Sequence, residues 1–355
     1  MNASQLFTGR AYAFDMREDV DETDVSHEII EDILSKSKVN IEIDSISKLE
    51  GTENFDNYRI VSGDRLYSVK ISLDEDCEVL KNEINFLKNN KSALIPFYLD
   101  SGLIKIGTNI LFLISSHDEG YDIRGEGVMS VIDNSESFFY TLYHFSNLKS
   151  KTSCRDYLKS ILNEKDIEEY SKVLASNISS NHELKKINKI FSFFHDEVFL
   201  DYKEDILEGA RACHGSLTCD NIITKNGLYK YKNFGYSFSG NPIFDVCFFA
   251  VNSGLLKRDS LLFFKKYCDY NELDLSNYKK EYDYCMKVCS AIYFSKLFFD
   301  YLIEEAVFET RRPHKLLSLS VDYSKSYHNL SRLSSCEDIK NTLSTIITRP
   351  ITDKI

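Results

Sequence analysis

Tryptophan is absent from the chain, and the nine cysteines include no Cys-x-x-Cys pair. An odd number of cysteines scattered through apolar stretches argues against a disulfide framework and fits a reducing compartment. Cys285 and Cys289 lie one helical turn apart, but two soft ligands without a second pair make a poor zinc site, so they are read as core. No stretch approaches the roughly 18 uninterrupted apolar residues of a membrane span, and the first residues lack a basic region followed by an apolar run. The expectation is a soluble, unsecreted protein that does not bind membranes, in the cytoplasm or in a particle assembled inside the cell. Positive charge is also short: 43 Lys and Arg stand against 55 Asp and Glu, a formal charge of -12, so a nucleic-acid backbone is repelled on average. A local basic cleft for a nucleotide is still compatible with that balance. There is no internal repeat and no low-complexity tract. The Lys-, Asn-, Ile- and Ser-rich composition suggests an AT-rich coding source without identifying one.

What is present is ample apolar material, 43% of 355 residues, enough for one large domain or two lobes. Residues 1–23 carry Asp15, Glu18, Asp19, Asp21 and Glu22 without a clean period and are read as an acidic arm, disordered or laid on a partner. Ile29, Ile30, Ile33 and Leu34 then mark a helix. Val39, Ile41 and Ile43 predict a first strand, Tyr58 and Ile60 a second, and Tyr67, Val69, Ile71 and Leu73 a third, with Lys70 on its opposite face. Val79, Leu80, Ile84 and Leu87 predict a helix over 76–90, with Glu83 off the centre of its stripe. Two strands around 103–106 and 110–114 complete a meander of about five.

After residue 120 the apolar spacing becomes helical, through 138–145, 158–162, 167–174, 187–194 and most strongly from Tyr278 to about Glu309. The exception is 213–240, where 222–224 and 228–231 flank Lys225-Asn226-Gly227 as a hairpin. The prediction is an α+β architecture of two lobes: 24–116 rich in strands and 117–355 rich in helices.

The stretch His214-Gly215-Ser216-Leu217-Thr218-Cys219-Asp220-Asn221, the following Lys232-Asn233-Phe234-Gly235, and Gly240-Asn241-Pro242-Ile243-Phe244-Asp245-Val246 carry a resemblance. Together they resemble the aminoglycoside phosphotransferase and choline kinase-like branch of the protein-kinase-like fold, over about residues 40–310. That branch has His-Gly-Asp-Leu-x-x-x-Asn in its catalytic loop. The resemblance implies a nucleotide held in a cleft between lobes, where phosphoryl transfer depends on positioning and charge neutralisation. It implies that Lys70 holds phosphates with Glu83 as its ion-pair partner. Gly51, with Asn57 and Tyr58, stands at the glycine loop, and the backbone near Ser115 at the adenine contact. Asn221 takes the place of a metal ligand, while His214 and Asp245 brace the loop.

Two positions depart from the pattern. Ser216 stands where the family has the aspartate that orients the substrate hydroxyl, and a serine hydroxyl is not a base at neutral pH. Asn233 stands where an aspartate holds magnesium, and a neutral amide holds it more weakly. Asp220 could supply a replacement carboxylate. Cys219 has no histidine placed to activate it.

The leading expectation is therefore a catalytically degenerate, pseudokinase-like protein with weak or absent ATP and Mg2+ binding. Its role would be binding, regulation or assembly, extending to a large or viral particle, with protein partners engaged through the arm or through Arg311 to Ile355. One alternative is an active ATP-dependent phosphotransferase acting on a hydroxyl of an amino sugar, amino alcohol or nucleoside, with Glu304 and Glu305 as candidates for lining its pocket. Another is resemblance in shape alone.

Overall fold

The computed structural model describes residues 22–308 apart from 53–54, 119, 124–127, 134, 163–188, 190–191 and 226. The expected arm as far as residue 21, the periodic stretch 167–174 and the segment from Arg311 fall outside the described residues, as do the side chains of Glu304 and Glu305.

Helix α1 (Glu22–Lys36) precedes an antiparallel sheet of β1 (Ser45–Thr52), β2 (Phe55–Ser62), β3 (Arg65–Ser72), β4 (Tyr98–Ile106) and β5 (Thr108–Ser116), with α2 (Glu78–Asn89) inserted after β3. Alternation decides which way the sheet faces. Tyr58, Ile60, Val69 and Ile71 meet Ile30, Ile33 and Leu34 of α1 on the outer face. The other set on the same strands, Asn57, Arg59, Ser68 and Lys70, lines a cleft.

The strand order is β1-β2-β3-β5-β4, which corrects the simple meander. Ile110, Leu111, Phe112, Leu113 and Ile114 are buried on both faces and make β5 an inner strand, so the chain leaving α2 first forms the edge strand β4 and then returns inward. The strand expected at Val39–Ile43 is also corrected. Backbone groups there are taken by side chains rather than by a partner strand: Ser37 Oγ donates to Val39 O, and Lys38 N donates to Asp100 Oδ2. The first strand begins later, at Ser45.

The second lobe is helical, with α3 (Val128–Asp133), α4 (Ser135–Ser146), α5 (Cys154–Ile161), a helical stretch at 192–199, α6 (Glu204–Leu207), α7 (Ile243–Asn252), α8 (Lys257–Tyr270) and the 34-residue α9 (Leu275–Phe308). Among them lie the two-residue strand β6 (Tyr121–Asp122), the predicted hairpin β8 (Ile222–Lys225) and β9 (Leu228–Tyr231), and a pair that periodicity did not signal, β7 (Arg211–Cys213) with β10 (Phe238–Gly240). Phenylalanine and tyrosine supply the bulk that tryptophan does not. Phe139 and Phe263 rings lie 5.0 Å apart, and Tyr157 stacks on Phe238 at 4.3 Å. Cys285 and Cys289 are fully buried in this core.

The lobes are joined through α2. Asn82 Nδ2 donates to Gly235 O at 2.8 Å and Ser237 O at 3.0 Å, and Phe86 stacks on Phe234 at 4.8 Å. These contacts hold the Glu83 face of α2 toward the segment that contains Asn233. No helix among the described residues is long and apolar enough to cross a membrane.

Candidate functional site

A cleft of about 870 Å³ lies between the inner face of the sheet and the β8–β9 hairpin. Asn57, Arg59, Ser68 and Lys70 form its strand wall, Ser115, Ser116, His117 and Asp118 its hinge side, and Ile223, Thr224, Lys225 and Lys232 its hairpin side. Four Lys or Arg side chains therefore face two carboxylates, those of Glu83 and Asp118, in a protein whose overall charge is -12.

The deepest part of the cleft is one chain of hydrogen bonds. Lys70 Nζ donates to Glu83 Oε1 at 2.7 Å and Oε2 at 2.9 Å, and its third bond goes to Asn233 Oδ1 at 2.8 Å. Asn233 Nδ2 then donates to Asn221 Oδ1 at 2.7 Å, and Asn221 Nδ2 donates to Ser216 O at 2.7 Å. The direction of the chain is forced from both ends. A lysine ammonium can only donate and a backbone carbonyl can only accept, so both amides have a single consistent orientation between them. Three consequences follow. The three N–H bonds of Lys70 are all used, and the ring of Phe55 lies 4.7 Å away over the same ammonium. Both amide oxygens at the positions the resemblance assigns to a metal already accept an internal bond. Glu83, the carboxylate on the lining nearest this chain of bonds, is engaged by Lys70. The donor set does not fit a magnesium ion, whose hard charge asks for carboxylate oxygens. Among the described residues no group of three or more His, Cys, Asp or Glu is placed to hold a metal.

Asn233 adopts the left-handed conformation with φ 65°, a region asparagine tolerates better than most residues. That backbone turn aims its side chain between Lys70 and Asn221.

Beneath this chain the loop is braced by Asp245. Its carboxylate accepts His214 N at 2.7 Å and Gly215 N at 3.1 Å from the first turn of the buried helix α7. Gly215 has φ 71°, and a Cβ there would lie 2.2 Å from Tyr236 O, so only glycine fits. His214 Nε2 faces Lys232 O at 2.9 Å while Nδ1 faces Ser216 N at 3.3 Å. A neutral ring protonated on Nε2 satisfies both contacts, and a second proton on Nδ1 would meet an N–H. Burial, with Lys70 adding a smaller push, lowers His214 to about 4. Burial also raises Asp245 to about 7, against the two backbone bonds that favour its anion.

These two shifts oppose each other in acid. As pH falls from 6.5 toward 4 the unfolded chain gains a proton on His214 that the folded chain refuses, which lowers stability. Over the same window the folded chain keeps a proton on Asp245 that the unfolded chain releases down to about 3.8, which raises it. Asp245→Asn removes the second effect alone. Urea unfolding of that variant is expected to lose roughly 2–3 kcal/mol more than wild type between neutral pH and the mid-4 range. Parallel pH curves for the two proteins would contradict the assignment.

The structure brings Lys70, Glu83, Asn233, Asn221 and Ser216 together, and Ser115 lines the cleft. It does not place Gly51 there. Gly51 falls at the end of β1, where Leu49 pairs with Asn57 and Thr52 with Phe55, so Asn57 and Tyr58 belong to β2 rather than to a loop. Tyr58 is anchored in the outer core. Asp220 lies in the short 3-10 turn Cys219–Asn221 and is not among the residues that line the cleft. Cys219 in the same turn contacts Ser253 Oγ at 3.6 Å. Phe55, Arg59, Lys225 and Lys232 were missed from the sequence. Arg59 and Phe55 were findable, since both share the alternate set with Asn57; Lys225 and Lys232 reach the cleft through folding of the hairpin.

No family model matches the chain, and no curated protein matches it. Solved structures do. Aminoglycoside phosphotransferase APH(4)-Ia aligns with a TM-score of 0.54 at 13% identity, over 89% of this chain and 99% of that one. Choline kinase LicA from Streptococcus pneumoniae aligns with a TM-score of 0.53 at 15% identity, over 88% of this chain and 100% of that one. A thermostable mutant of APH(4)-Ia in ternary complex with AMP-PNP and hygromycin B aligns at 0.53 and 13% identity, over 88% and 97%. The fold is thus the two-lobed, protein-kinase-like fold of the phosphotransferases.

Proposed function

We propose that this chain is a catalytically degenerate member of the kinase-like fold, a protein that binds in its cleft and transfers no phosphate at an ordinary rate. The observation that supports this is the chain from Glu83 through Lys70, Asn233 and Asn221 to Ser216. Neutral groups occupy it where a general base and a metal-binding carboxylate would be needed, and each is hydrogen-bonded to the next. Losing general-base help alone costs about 10²–10⁴ in rate. Nucleotide remains the natural occupant class to test, because the fold's neighbours include a complex with AMP-PNP. The output is regulatory or structural, through protein contacts of the arm or the carboxy-terminal segment, inside the cell or an assembled particle.

The test is radiolabelled ATP with magnesium, offered alone and with an amino sugar, choline and a nucleoside. No labelled product above the protein-free control is expected. Turnover near 1 s⁻¹, at the low end of ordinary enzymes, would restore the alternative of an active small-molecule phosphotransferase.

A further inference from the structure

We propose that the groove between α2 and residues 149–152 is a docking site for a partner protein, its occupant an extended, acidic segment read through its backbone by Asn85, Asn89 and the main chain of Lys151. This groove, a cavity of about 320 Å³, shares no lining residue with the cleft between the lobes. The proposal therefore goes beyond the non-catalytic reading and stands without it.

Three observations carry it. First, α2 presents asparagines in a line: Asn82, Asn85 and Asn89 all border the groove, at the spacing of neighbours on one helix face. A carboxamide both donates and accepts, so it can pair with the N–H and the C=O of another chain at once. The C-terminal end of α2 already shows this pairing, where Asn90 Nδ2 donates to Lys149 O at 2.8 Å and Asn90 Oδ1 accepts Lys149 N at 2.9 Å. Asn82 is engaged within the protein by Gly235 O, Ser237 O and the Thr152 hydroxyl. The Asn85 amide and Asn89 Oδ1, in contrast, form no hydrogen bond among the described residues, while Asn89 Nδ2 donates back to Asn85 O. The four residues from Asn85 to Asn89 rise about 6 Å along the helix, close to the roughly 6.7 Å of two residues in an extended chain. The two amides thus match alternate peptide units of one strand. Second, the facing wall carries an unpaired stretch of main chain. Ser150 O accepts Ser239 Oγ at 2.6 Å and Thr152 O accepts Ser239 N at 2.7 Å, yet the N–H and C=O of Lys151 between them form no hydrogen bond among the described residues. An added extended segment supplies partners for both. Third, charge selects the segment. Lys149 and Lys151 border the groove, are exposed, and pair with no carboxylate among the described residues. The carboxylate on the lining, Asp156, accepts Ser153 Oγ at 2.8 Å. Two cations against one engaged carboxylate favour acidic side chains on the occupant.

Asparagine labelled with heavy nitrogen, incorporated into the full chain, puts the magnetic-resonance readout on the amides themselves. Asn85→Ala and Asn89→Ala assign the two signals, and both positions are exposed on a helix where alanine is the better helix former, so folding is retained. The probe is a capped heptapeptide alternating Val and Asp, titrated to millimolar concentration. It is expected to shift the side-chain signals of Asn85 and Asn89 and to bind more weakly as salt is raised. A version with Lys in place of Asp, and a version N-methylated along its backbone, are each expected to bind at least about fivefold more weakly. The same loss is expected for the parent peptide with Asn85→Ala, Asn89→Ala or Lys151→Ala. Lys105→Ala, exposed on the edge strand β4, should bind as wild type does. Silence of both amides at millimolar peptide would overturn the proposal, and so would equal binding of the N-methylated or the Lys peptide. Combining Asp15→Asn, Glu18→Gln, Asp19→Asn and Asp21→Asn in the full chain should leave both signals in place. Movement there would assign the groove to the chain's own arm, and movement on dilution would assign it to a second copy; either overturns the assignment to a partner. Phosphoryl transfer from ATP would sink the non-catalytic reading and leave this groove as proposed.

Discussion

Lys70→Met is expected to destabilise the protein by roughly 3–5 kcal/mol, one of the two largest effects any single change here should produce. Side-chain exposure at the pair is 6% for Lys70 and 3% for Glu83, with a separation of 2.7 Å, so the ammonium is what makes a buried carboxylate tolerable. Removing it strands a charge on α2 and also removes the donor that orients Asn233. The companion variant, Lys70→Met with Glu83→Leu, removes both charges and should recover most of the loss, since an apolar pair of similar volume is often no worse than the ion pair. Urea midpoints at constant m-value read both. A loss near zero for Lys70→Met would mean that the pair is solvated and that the chain of bonds does not stabilise the cleft.

Asn233→Asp should create a dependence on magnesium. The new carboxylate keeps an oxygen on Lys70 but loses the N–H that Asn221 Oδ1 now accepts at 2.7 Å. Two acceptors then face each other at hydrogen-bond distance, and a divalent cation between them relieves the repulsion. Magnesium is therefore expected to raise the melting temperature of Asn233→Asp and to leave wild type unchanged. Adding Ser216→Asp places a carboxylate at the loop position where the fold's active members orient a hydroxyl. The double variant is expected to hydrolyse ATP about 10²–10⁴ faster than wild type in magnesium, measured as phosphate release. If magnesium binds and hydrolysis stays silent, the barrier lies in Phe55 over the Lys70 ammonium.

Much of the fold was legible because single-residue periodicity carries it. Tyr58, Ile60, Val69 and Ile71 alternate, and the structure sets all four against α1. Val79, Leu80, Ile84 and Leu87 share a helical stripe, which leaves Glu83 free to face Lys70. Val39–Ile43 misled because alternation says which face a residue would occupy and not whether a partner strand exists; side chains of Ser37 and Asp100 took those backbone groups instead. Strand order went unread, although the unbroken apolar run Ile110–Ile114 of β5, against Asp100, Ser101 and Gly102 in β4, is the pattern of an inner strand beside an edge.

The amino-acid sequence by itself determined the two lobes, the hairpin, and the neutrality of positions 216 and 233, because residue identity and period are local properties. Tertiary structure alone decided what that neutrality means. The bond from Lys70 to Asn233 spans 163 positions of chain, and the one from His214 to Asp245 spans 31. Hydrogen-bond direction across such distances depends on which donor meets which acceptor after folding. Two asparagines that the sequence offered as weak metal ligands became, once Lys70 stood at one end and the Ser216 carbonyl at the other, links in a closed chain with their oxygens already in use.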